Sequence, residues 1–93
     1  MSQTEILTEV SKAIKDVLNN QSLSVTLDSK LMNDLGLESI DLLDVSSELE
    51  GALGLEIDFK EVAEFVKANS GNSVSDMKSV KVQDLVQFIE AKK

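Results

Sequence analysis

The sequence predicts an all-α fold: a small antiparallel four-helix bundle, three main helices plus a shorter third helix between the last two. Three observations predict it. Apolar residues recur at i, i+3, i+4 and i+7 in separate segments, the spacing of one buried helix face. The one stretch that alternates like a strand, Leu23-Ser24-Val25-Thr26-Leu27, has no second such stretch to pair with, and a lone strand is unstable. The chain has 93 residues and is 42% hydrophobic, which fits a single domain over residues 1–93 with one modest core.

The first helix is expected over residues 4–18. Ile6, Leu7, Val10, Ile14, Val17 and Leu18 recur at helical spacing, with polar residues between them. Thr4 is the expected N-cap, although Leu7 stands where a capping box places Glu or Gln. Asn19-Asn20 ends the helix. Residues 19–38 then form a long polar connection in which Leu23, Val25, Leu27, Leu31, Met32 and Leu35 recur. That pattern predicts a loop pinned to the bundle by its apolar residues, with a turn of helix near residues 29–33. Ordered loops of this length often carry function.

The second helix is expected over residues 39–53. At about 100° per residue, Leu42, Val45, Leu49, Ala52 and Leu53 share one face, assigned to the core. Asp41, Asp44 and Glu48 lie opposite. Ile40 and Leu43 belong to neither group and flank the acidic stripe close to Ser39. Two aliphatics bordered by acids read as a docking surface; the alternative is partial burial under the long loop. Gly54 takes the C′ position.

Asp58 and Glu61 make a capping-box-like start for a third helix, through Val62, Ala63, Phe65 and Val66 to about residue 68. Asn69-Ser70-Gly71-Asn72-Ser73 is a breaker cluster. Residues 69–78 hold only two apolar residues, Val74 and Met77, and are expected to be mobile. The last helix is expected over residues 82–91, with Val82, Leu85, Val86 and Ile89 on its core face. Lys81 occupies its usual cap position, so the cap moves to Ser79 or is weak.

Composition narrows the function classes. There is no Cys and no His, so there is no disulfide, thiolate nucleophile, imidazole base or the commonest metal ligand. Without Trp or Tyr either, no catalytic constellation and no metal site is expected, and the chain reads as a non-enzyme. No apolar run approaches a membrane span and the N-terminus lacks a signal-peptide pattern, so a cytoplasmic protein is expected. The net charge is −8, and its placement is uneven. Residues 31–59 carry eight acids and no base; elsewhere nine acids face nine lysines. Such a field repels nucleic acid and anionic lipid and steers basic partners in.

The chain is organised around Asp34-Leu35-Gly36-Leu37-Glu38-Ser39-Ile40-Asp41. Gly36 permits a tight turn because it accepts positive φ at little cost. Ser39 falls in the first turn of the next helix, where free N–H groups and the positive dipole end favour an attached phosphate. The plainer alternative makes Ser39 an N-cap. An EF-hand loop is excluded, because leucines interrupt the polar positions around Gly36.

This stretch, continued by Leu42-Leu43-Asp44, resembles the modification site of acyl carrier proteins. Leu53-Gly54-Leu55-Glu56-Ile57-Asp58 resembles the end of that family's second helix, and Val82-Gln83-Asp84-Leu85-Val86-Gln87-Phe88-Ile89 its last helix. The element order matches along nearly the whole chain. Two features depart: Glu38 replaces the usual aspartate, and residues 58–81 run longer than the family's third-helix region. The second departure points to a specialised carrier outside housekeeping fatty-acid synthesis. It also motivates the idea that residues 69–78 let the third helix move aside for an unusual chain, against the plainer reading of a tolerated insertion.

The resemblance implies a carrier. A phosphopantetheinyl transferase (holo-carrier synthase) would move 4′-phosphopantetheine from coenzyme A to Ser39. The arm would then hold acyl groups as thioesters for fatty-acid, lipid or polyketide-type synthesis. Acyl-loading and acyl-processing enzymes with basic docking surfaces would meet Glu38, Ile40, Asp41, Leu43, Asp44 and Glu48. A monomer is expected. The alternatives are an aminoacyl or peptidyl carrier, and an unmodified acidic helical adaptor.

Overall fold

A computed structural model describes residues 2–70 and 80–92. Four helices appear in order: α1 (Gln3–Leu18), α2 (Ser39–Leu53), α3 (Phe59–Ser70) and α4 (Val82–Lys92). α1 packs along both α2 and α4, while α3 rests against α4 and more lightly against α2. The all-α helical bundle expected from the sequence is therefore what forms.

The N-cap of α1 falls two residues earlier than expected. Ser2, not Thr4, is the N-cap: its hydroxyl accepts from Glu5 N–H at 3.3 Å, and Glu5 returns a carboxylate oxygen to Ser2 N–H at 3.5 Å. A serine with glutamate three residues on is the better box, because Leu7 gives Thr4 nothing in return. Ile6, Val10, Ala13 and Ile14 are buried, and Leu7, Val17 and Leu18 pack at the margin of the core. Asn19 ends α1 in the left-handed region (φ 53°), which asparagine tolerates.

The long connection is pinned as expected. Leu31, Leu35 and Leu37 are buried, and Leu23, Val25, Leu27 and Met32 are half-buried against the core. No strand forms from residues 23–27. The loop instead ties itself to the start of α4: Leu31 N–H donates to Val80 O at 3.0 Å, Val82 N–H to Ser29 O at 2.8 Å and Gln83 N–H to Leu27 O at 3.0 Å. These bonds join the first half of the chain to the last helix.

α2 buries Leu42, Val45, Leu49 and Leu53. The expected face needs one correction: Ala52 is exposed and Ser46 is buried. Both sit at edges of the apolar stripe, and the chain leaving α2 settles the matter by folding over the Ser46 edge. Gly54, at φ 68°, turns it back. Ser46 Oγ then donates to the carbonyl of Ile57, while the Glu50 carboxylate accepts from Ile57 N–H at 3.4 Å. Asp58 opens α3 by accepting from Lys60 N–H at 2.9 Å.

Phe59, Val62 and Val66 of α3 are buried, and Phe65 meets Phe88 of α4 edge to face at 5.7 Å between centroids. α3 continues to Ser70, past the expected end near residue 68. α4 buries Val82, Leu85, Val86, Phe88 and Ile89. At its start Lys81 N–H donates to the Asp84 carboxylate at 2.9 Å, so a backward-reaching acid serves where no cap side chain is available. Ser79 and the expectation of mobility over residues 69–78, with the gate built on it, fall outside the described residues for all but Asn69 and Ser70, which are helical.

Candidate functional site

The site is the junction between the loop and α2. Residues 30–37 close a compact turn. Asp34 and Leu35 both donate to Lys30 O at 3.1 Å, Gly36 donates to Met32 O at 3.2 Å, and Leu37 donates to Leu31 O at 3.2 Å. The Asp34 carboxylate seals it by accepting from Lys30 N–H at 2.8 Å. Gly36 has φ 78°, the left-handed backbone that glycine adopts freely. Leu35 and Leu37 point into the core on either side of it and anchor the turn.

Glu38 follows as the N-cap residue of α2 in extended conformation (φ −100°, ψ 170°). Its N–H donates to the Asp41 carboxylate at 2.9 Å. Ser39 is thus the first helical residue and not the cap, which overturns the plainer reading of this serine. The cap lies one position earlier, and the carboxylate that reaches back belongs to Asp41. The spacing Glu38-Ser39-Ile40-Asp41 held that signal, since an acid at the third helical position can serve the cap N–H.

Ser39 is exposed, and its hydroxyl enters no hydrogen bond among the described residues. At the first two helical positions the N–H groups of Ser39 and Ile40 have no acceptor within the helix. A free hydroxyl beside unfilled donors at the positive end of a 15-residue helix suits a phosphodiester well. Around it Ile40 is 65% and Leu43 70% exposed, so neither is covered by the long loop. Glu38, Asp44 and Glu48 are exposed, whereas Asp41 is half-buried. A groove of about 400 Å³ opens between Leu43, Ser46, Glu50, Ile57 and Phe59, along α2 from Ser39. A groove of about 450 Å³ between α1 and the first loop, lined by Leu7, Lys12, Lys15 and Val25, shares no residue with this end of α2.

Among the described residues no three acids gather in a way that could hold a metal ion. No described helix is long and apolar enough to cross a membrane.

Comparison with known proteins agrees with this geometry. A family model described as a phosphopantetheine attachment site matches residues 8–70. The chain belongs to the acyl carrier protein family. It is 38% identical over 93 residues to an acyl carrier protein of Prochlorococcus marinus, covering 100% of this chain and 99% of that protein. It is 30% identical over 91 residues to that of Coprothermobacter proteolyticus, covering 98% and 94%. It is 38% identical over 79 residues to that of Lactobacillus acidophilus, covering 85% and 96%. The cofactor of this carrier is covalently attached 4′-phosphopantetheine, which implies a phosphopantetheinyl transferase and acyl-handling enzymes as partners. The adaptor alternative is thereby set aside.

Proposed function

We propose that Ser39 bears the phosphopantetheine arm and that the chain carries acyl groups on it for fatty-acid, lipid or polyketide-type synthesis, without catalytic residues of its own. The observation that carries this reading is the exposed Ser39 hydroxyl, unbonded among the described residues, at the first position of α2 between a glycine turn and an acidic helix. Once attached, the arm supplies a thiol that holds the acyl group as a thioester. The chain's own work is to present the hydroxyl, to keep the junction rigid through Leu35 and Leu37, and to offer a recognisable surface.

That surface is formed by Ile40 and Leu43 with Glu38, Asp44 and Glu48, which fits enzymes with basic docking faces. The length of residues 58–81 supports a specialised carrier. A monomer working in the cytoplasm is part of the same proposal, and the acidic charge suits it. Acyl rather than aminoacyl cargo is favoured by the relatives, all three named as acyl carriers.

Because the polypeptide has no cysteine, a thiol can only belong to the arm. Treatment with coenzyme A and a broad-specificity transferase, then with a maleimide, should give one label per chain and none on Ser39→Ala. Equal labelling of Ser39→Ala, or no label on the treated wild type, would defeat the reading.

A further inference from the structure

We propose that Asp41 is a positioning residue for the loading of Ser39 rather than a docking charge for the transferase, an inference that rests on Ser39 being the attachment point. Sequence spacing groups Asp41 with Asp44 and Glu48 as one acidic stripe. The structure separates them. Asp44 and Glu48 are exposed, and neither carboxylate is held by a described hydrogen bond. Asp41 is half-buried, and its Oδ2 accepts from Glu38 N–H at 2.9 Å.

That bond spans Ser39. Glu38 and Asp41 lie on either side of it in sequence, so the ring closed by N–H and carboxylate contains the serine's own backbone. The chain changes here from extended (ψ 170° at Glu38) to helical at Ser39, and a helix's first turn is where it frays. On the loop side the junction is anchored by Leu37, which is buried. On the helix side the Asp41 carboxylate is the side-chain anchor. Releasing it leaves Leu42 N–H to Glu38 O, at 3.1 Å, and the reciprocal contact of the Glu38 side chain with Asp41 N–H as local restraints. The Ser39 hydroxyl would then sample several directions, and an in-line transfer to it depends on one.

The two roles need different properties of one side chain. Docking needs the negative charge; positioning needs only an oxygen that accepts from Glu38 N–H. Asparagine keeps the acceptor and removes the charge. The experiment follows loading of Ser39 by a transferase with coenzyme A, at low and high salt, for wild type, Asp41→Asn, Asp41→Ala and Asp44→Asn. Amide exchange at Glu38 is measured on the unloaded proteins, and circular dichroism verifies the fold.

Asp41→Ala should lower kcat by about five-fold at every salt concentration, the ratio matching a typical capping interaction, with KM within about two-fold. Its Glu38 amide should exchange faster. Asp41→Asn should restore both readings. Asp44→Asn should raise KM at low salt and leave kcat alone. The proposal is overturned if Asp41→Asn fails as Asp41→Ala does with the loss confined to KM at low salt, or if Asp41→Ala leaves Glu38 exchange unchanged. Wild type that never loads at Ser39 would defeat the carrier reading instead, and the exchange data on unloaded protein would still decide what Asp41 holds.

Discussion

The hydroxyl of Ser46 donates to the carbonyl oxygen of Ile57, eleven residues on, with the Glu50 carboxylate 3.2 Å away as a second acceptor. Glu50 also takes the Ile57 N–H, so one residue of the chain leaving α2 is held at both of its backbone polar groups. Ser46→Ala would leave the buried Ile57 carbonyl unserved. The expected loss is about 1–3 kcal/mol of unfolding free energy. Urea denaturation followed by circular dichroism would detect it, and an unchanged midpoint would mean that water replaces the hydroxyl at no cost.

Gly36 tests the turn before the serine. A Cβ there would meet no atom within 4 Å, so any penalty is conformational and comes from φ 78°. Gly36→Ala should cost about 1 kcal/mol, and Gly36→Asn clearly less, because asparagine visits the left-handed region. Equal denaturation midpoints for the two variants would argue that the turn relaxes to a different backbone.

The docking surface is tested by separating charge from contact. Asp44→Lys should slow loading of Ser39 at low salt and approach wild type at high salt, since exposed charge is screened. Leu43→Ala should slow it at all salt concentrations, because its 70% exposed side chain contributes area once buried by a partner. Normal loading by both variants would place recognition elsewhere on the molecule.

The seam between α3 and α4 depends on Phe65 and Phe88, whose rings meet at 81°. Lys92 adds contacts there: its Nζ lies 5.4 Å from the Phe88 centroid, donates to Glu56 O at 2.8 Å and pairs with Glu61 at 3.7 Å. Phe65→Leu should lose about 1 kcal/mol through the lost ring geometry. Lys92→Gln should lose less, since surface ion pairs contribute little. Thermal melts of both would check the order, and a larger loss for Lys92→Gln would reverse the account.

Much of this was legible in the sequence because helix periodicity is local. Val82, Leu85, Val86 and Ile89 fell on the core face as their spacing required, and Ile40 and Leu43 stood out because they fitted no face. The exchange of Ala52 for Ser46 was not legible: it depends on which edge of α2 the later chain covers, a long-range fact. One cap was misassigned for a different reason. Thr4 looked like a cap by residue type, yet Ser2 holds the position because Glu5 answers it three residues on, whereas Ser39 stands in the first helical turn as expected, behind Glu38. Asp34 and Asp41 were counted as surface charge. Each carboxylate in fact holds an N–H group, a role that the spacing to Glu38 signalled for Asp41 and that the turn's backbone reveals for Asp34.

The three backbone bonds between residues 27–31 and residues 80–83 make the turn ahead of Ser39 depend on the far end of the chain. The turn ahead of Ser39 is braced by Val80, about half the chain away from Leu31. Contacts of such separation carry a larger loop-closure cost than local ones. A chain without α4 would lack this brace on the turn ahead of Ser39. The matched family region, residues 8–70, ends before Val80. A fragment cut to it should be loaded more slowly than the full chain even where α2 remains helical, and equal loading rates would show that the brace is dispensable.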